Sequence, residues 1–169
     1  MQLVRNAVLG AVAGGVATSA MDLLWYRRAR AEGGGDDFVT WEFSTPATDF
    51  GEDAPAPARV GQLITSAVGI ELSDSSVATT NNVVHWLTGV GWGKVAGVAA
   101  ALLPIPALGV GISTGVVAFA TSYALLGAAG IYKPITAYDA ATLWKDLSAH
   151  LVYGTTLGAT LGVARSLRR

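Results

Sequence analysis

The chain contains no cysteine. That excludes disulfides, thiolate nucleophiles and the Cys-ligated zinc and iron–sulfur centres. Histidine is almost as scarce, with two residues, His85 and His150, among 169. Charge is scarce too, at 14% of residues, and it is badly mixed. No Asp or Glu precedes Asp22 or follows Asp146, and the stretch from Val95 to Tyr132 carries no charge. With a formal charge of −1 there is no basic patch of the kind that nucleic acid requires. Neither a phosphate-binding Gly-x4-Gly-Lys-Ser/Thr nor a His-Glu-x2-His occurs, and no enzyme chemistry is expected.

What is present in excess is apolar residues, 51% of the chain, together with 21 glycines. A mean hydropathy of +0.46 is too high for a small soluble domain. Glycine weakens helices in water, whereas in lipid small residues let helices approach closely. The composition therefore predicts an all-α fold, an integral membrane four-helix bundle packed through glycine ridges and surrounded by the lipid bilayer. The whole chain, residues 1–169, reads as one transmembrane domain.

Four runs supply the expected spans, at about 3–26, 77–103, 107–130 and 140–165. The first extends through Leu23, Leu24, Trp25 and Tyr26, past the small residues Thr18-Ser19-Ala20 that would end a signal peptide. Its Gly10, Gly14, Thr18 and Asp22 lie at four-residue steps and so form one ridge. Residues 31–58 hold seven acids, Gly33-Gly34-Gly35 and three prolines, which reads as a solvent-exposed acidic loop with Trp41 and Phe43 as interface anchors. Residues 59–71 are apolar but too short to span, and predict an interfacial or re-entrant helix. Ser73 with Asp74 signals the next helix start, and Pro104 and Pro106 stop that helix. Pro134, then Thr136 with Asp139 as a capping box, opens the last.

An even span count puts both termini on one face, with Arg5, Arg165, Arg168 and Arg169. Against them stand Arg27, Arg28, Arg30, Lys133 and Lys145, and the balance leans to cytoplasmic termini. Lys94 is an intramembrane charge near the middle of the second span. It either snorkels to the headgroups or meets a polar partner in a second locus or a subunit interface.

A pattern occurs twice. Asn81, His85, Gly89, Gly93 and Gly97 match Asp146, His150, Gly154, Gly158 and Gly162 in register, and each copy follows an outward-running helix. The tripeptides Ala17-Thr18-Ser19 and Ala120-Thr121-Ser122 suggest that these preceding helices are duplicated as well. The internal repeat predicts two helix pairs related by direct symmetry, with Asp22, His85, His150 and Asp146 converging at the acidic-loop end. Such groups can cap and bridge helices. They can also hold a b-type haem between His85 and His150, bind a divalent metal, or relay protons and ions. Glycine ridges left exposed in lipid predict a homo-oligomer or a membrane-complex partner.

The leading expectation is thus a non-enzymatic membrane protein, either a structural or accessory subunit or a small permeation module, with a haem-binding redox protein as the alternative. Gly10-Ala11-Val12-Ala13-Gly14-Gly15-Val16, together with residues Leu143 to Val152, resembles the YagU-like family of small bacterial inner-membrane proteins. The resemblance implies a bacterial inner-membrane location and supplies no catalytic residues.

Overall fold

The computed structural model describes residues 2–167, and Met1, Arg168 and Arg169 lie outside the described residues. All regular structure among them is helical: α1 Gln2–Ala31, α2 Phe38–Glu42, α3 Ala56–Ala67, α4 Val77–Leu102, α5 Ala107–Ala128 and α6 Ala140–Ser166, with 3-10 turns before α4 and α6. The helix ends follow local chemistry. Pro106 takes the N-cap position of α5, where its fixed φ suits helix entry. At α6 the expected Thr136–Asp139 box is not formed. Thr136 sits in the 3-10 turn Ile135–Ala137, and the Asp139 side chain itself caps the helix by accepting from the Thr142 backbone N–H.

Among the described residues only α1 and α5 are long and apolar enough to cross a membrane. The sequence led us to expect four such spans. The other two helices are diluted, α4 by Asn81, Asn82, His85 and Lys94, and α6 by Lys145, Asp146, His150 and Arg165. Lys94 lies on the exposed side of α4.

The long helices pack as two antiparallel pairs, α1 with α4 and α5 with α6, and α1 lies along α6. α4 and α5 meet only sparsely. In the first pair a Cβ added to Gly93 would strike the Gly10 carbonyl and the Gly14 backbone, and one on Gly97 would strike the Asn6 carbonyl and Gly10. Gly89 leaves room for the Thr18 hydroxyl. In the second pair Gly154 lies against Gly111 and Gly115, and Gly158 against Ala107 and Leu108. Backbone touches backbone along both seams, a closeness only glycine permits. Gly162 departs from the expected pattern, because a Cβ there would meet nothing within 4 Å. Its repeat mate Gly97 packs against the first turns of α1, but α5 begins only at Ala107, too late to reach Gly162.

These contacts fix the register of the two halves. Gly14 sits between Gly89 and Gly93 as Gly111 sits between Gly154 and Gly158. In that register Thr18 corresponds to Gly115, so the matching tripeptides at Thr18 and Thr121 are not structural equivalents. The terminal half of the four helices is filled by small and branched residues, including Ala13, Ala17, Ala96, Ala100, Val110, Leu157 and Leu161.

Most of the segment 31–58 is exposed, and it is anchored at two places. Asp37 caps α2, which puts Trp41 and Phe38 against the Tyr26 ring. Farther on, Phe50 and Ala54 are buried with Ala58 and Val77. Phe43 remains exposed. The interfacial or re-entrant helix expected at 59–71 is α3, which starts earlier, at Ala56, because Pro57 is tolerated in a first turn, and ends earlier, at Ala67. It packs on α4, with Gly61 against the methyl groups of Thr80 and Val84. Arg59 ties it to the α5–α6 connection by donating to the Ile131 carbonyl at 3.0 Å.

Candidate functional site: a polar-ended cavity between the helix pairs

Where α4 and α5 meet only sparsely, the four long helices and the 31–58 segment line a partly open cavity of about 1050 Å³. Apolar and aromatic groups line much of it, among them Met21, Trp25, Trp92, Ala118 and Leu125. The four polar residues singled out from the sequence, Asp22, His85, Asp146 and His150, all lie on its wall.

They do not form one cluster. His85 Nε2 lies 2.8 Å from Asp22 Oδ1, a bond between α4 and α1. His150 Nδ1 lies 3.1 Å from Asp146 Oδ1, within α6, and 3.0 Å from the Asp146 carbonyl. The register explains the difference. Two turns beyond Gly14, α1 presents Asp22 to His85; two turns beyond Gly111, α5 presents Phe119, whose ring meets His150 edge-on at 5.7 Å. Lacking an acid across the seam, His150 takes the carboxylate one turn back on its own helix. The first half has Asn81 at the place of Asp146.

The divalent-metal expectation therefore fails on geometry, since among the described residues no three His, Asp or Glu side chains are near enough to share an ion. A haem between the histidines does not fit either. The His85 Nε2 that an axial ligand would present is held by Asp22, and breaking that bond would strand a buried carboxylate.

Asp22 is 4% exposed, and its second oxygen, Oδ2, is buried with no hydrogen-bond partner. Asn81 Oδ1 is buried and unpartnered in the same way. Both residues line the cavity. Buried acceptors of this kind are uncommon, because each forgoes water without a replacement donor.

Several of the site's contacts had no sequence signal. Glu42 reaches over the cavity and accepts from Trp86 Nε1 at 2.9 Å, while its carbonyl accepts from Asn82 Nδ2 at 2.8 Å. Burial pushes the Glu42 carboxyl up, against the opposing pull of the Trp86 N–H. Burial, and then the Asp146 charge, push the Tyr132 phenol up to about 12, so it stays neutral. Tyr153 donates to the Gly89 carbonyl at 2.6 Å and so links the two halves beside the cavity. Tyr153→Phe should cost about 1 kcal/mol, the net worth of one buried hydrogen bond, because the Gly89 carbonyl sits within a helix and keeps that environment. Denaturant unfolding followed by circular dichroism checks this, and an unchanged midpoint would show that the bond adds nothing.

The letters Gly111-Ile112-Ser113-Thr114-Gly115 spell Gly-x-Ser-x-Gly, but they lie inside α5 rather than on a strand-to-helix turn. Ser113 faces outward, and both glycines serve the seam with α6. The strained elbow that would activate such a serine is missing. Compared with known protein families, curated proteins and solved structures, the chain gives no match.

Proposed function

We propose that this chain is a non-enzymatic, multi-pass integral membrane protein that serves as a small binding or permeation module. The observation that carries the reading is its inverted surface. Val4, Val8, Val12 and Val16 of α1 are about half to two-thirds exposed at four-residue steps, and Leu87 and Val95 of α4 and Leu125 of α5 are similarly bare. The inward faces carry glycine, alanine, threonine, aspartate and histidine, with few larger apolar residues such as Val110, Leu157 and Leu161. Apolar groups outside and small or polar groups inside suit lipid, and a contiguous apolar surface of this extent would drive association in water. The resemblance to YagU-like proteins favours the bacterial inner membrane, with the termini in the cytoplasm.

In this reading α4 and α6 also span, despite their polar residues. The cavity shelters His85, Asp146 and His150, and Lys94 reaches the headgroups along its own stem. Of the ridge glycines on which an oligomer was expected, all but Gly162 are occupied within the chain. The cavity lies at the acidic-segment end of the four helices, whose terminal half is packed.

The lack of cysteine makes labelling free of background. Val95→Cys, at an exposed apolar position on α4, should resist a charged maleimide in intact membranes and react after detergent is added, whereas Glu52→Cys in the acidic segment should react from one side of the membrane at once. Immediate labelling of Val95→Cys from water would sink the four-span reading.

A further inference from the structure

We propose that the cavity binds an amphipathic organic cation, with a primary ammonium group at Asp22 and Asn81 and an apolar body along the aromatic wall. The inference rests on the binding-module reading above and specifies its ligand class. Four carboxylates line the cavity, those of Asp22, Asp36, Glu42 and Asp146, and no Lys or Arg does. Even with His85 and His150 both protonated, two positive charges face four carboxylates, so the ionised wall is negative in every histidine state. Arg28, the cation stacked on Trp25, is directed elsewhere; its guanidinium donates to the Lys145 carbonyl and to Ser148 Oγ.

Two buried acceptors of cavity-lining residues, Asp22 Oδ2 and Asn81 Oδ1, lack a protein donor. Asn81 lies one turn before His85 on the same face of α4, and His85 holds the other oxygen of Asp22, which places both residues at the same end of the cavity. An ammonium carries three N–H donors and no acceptor, and so satisfies both oxygens while matching the sign of the wall. An anion meets repulsion there, and an alcohol brings one donor and no charge.

The rest of the cavity selects the body. Trp25, Trp41, Trp92 and Tyr153 supply flat apolar faces that also attract cations, and about 1050 Å³ is room for a drug-sized molecule. The ligand is therefore a hydrophobic amine rather than an inorganic ion, a polyamine or an anionic lipid.

An isosteric series tests this on the purified full chain in maltoside micelles. Phenylbutylamine, phenylbutanol and phenylbutyrate differ in charge and donors but share one body. Calorimetric titration should give the amine at least about tenfold tighter binding than the alcohol, and no binding of the carboxylate. Asp22→Asn should lower amine affinity about tenfold and leave the alcohol unchanged. Equal binding of amine and alcohol, tighter binding of the carboxylate, no binding of any, or an Asp22→Asn protein that folds and binds the amine like wild type would each overturn the assignment. If Asp22→Asn does not fold, the wild-type series still decides it. Extraction of membranes with alkaline carbonate separates the two claims. A protein that stays in the membrane yet shows no preference for the amine overturns the cation site alone, whereas release by carbonate overturns the membrane reading.

Discussion

Gly93→Leu should abolish the native fold of the α1–α4 pair. A Cβ at this position already overlaps the Gly10 carbonyl and the Gly14 backbone, and neither can move without separating the helices. Overpacking a close-packed core usually costs about 1–3 kcal/mol. Here the obstacle is backbone on the facing helix rather than an adjustable side chain, so the loss should exceed about 3 kcal/mol. Unfolding in a rising mole fraction of SDS, followed by helical circular dichroism and gel filtration, measures it. The internal control is Gly91→Leu, which points to open space and should shift stability by no more than about 0.5 kcal/mol. The second pair offers a matched comparison, with Gly158→Leu damaging and Gly162→Leu tolerated. A Gly93→Leu protein as stable as wild type would mean that α1 and α4 do not meet at this seam.

The second large effect is an asymmetry within the Asp22–His85 pair. His85→Ala removes the one bonded partner of Asp22 and leaves a nearly fully buried carboxylate with both oxygens unpaired. Leaving a buried charge without its partner in this way costs about 3–5 kcal/mol. The His85 side chain is itself 30% exposed, so the lower end, about 3 kcal/mol, is expected. Asp22→Asn is milder. It removes the buried charge that is costly to strand, and His85, partly open to the cavity, keeps an amide oxygen to bond. Combining the two changes should therefore recover at least about 1 kcal/mol of the His85→Ala loss, a coupling that a double-mutant cycle reads directly. Both single variants and the parent should be colourless in their visible spectra. A Soret band that disappears in His85→Ala would instead make this histidine an axial ligand. Equal losses from His85→Ala and Asp22→Asn would show that Asp22 is not desolvated as the geometry requires.

Much of the fold was legible because its punctuation is local. Pro104 and Pro106 end one helix and open the next, Asp139 caps the last, and the four-residue glycine steps identify the close-packed faces. The pairing of Asp22 with His85 could be anticipated only as convergence at one end, since sequence spacing does not say which acid crosses a seam. Gly111 and Gly115 stand four residues apart in an apolar run, but the matching tripeptides imply a different register for the second pair, in which these two glycines have no counterpart. Gly162 misled for the opposite reason. Its spacing is regular, but whether it meets a neighbour depends on where α5 begins, which the α6 sequence does not encode. The Glu42–Trp86 contact, like the burial of Phe50 against Val77, joins residues remote in sequence, and an acidic, proline-rich composition argues against either.

The sparse meeting of α4 with α5 gives the molecule the layout of an opened book. Each leaf is a glycine-locked pair, the spine runs where α1 lies along α6, and the free edges are α4 and α5. Turning one leaf about the spine disturbs neither lock. Beside the cavity the Tyr153 hydroxyl reaches from one leaf to the Gly89 carbonyl of the other and acts as a clasp. A clasp worth about 1 kcal/mol is within a few multiples of the thermal energy. Across the free edges the leaves are joined by this clasp and by the Arg59 bond to the Ile131 carbonyl, so cavity width is held by a few hydrogen bonds whereas each leaf is held by a backbone-to-backbone seam.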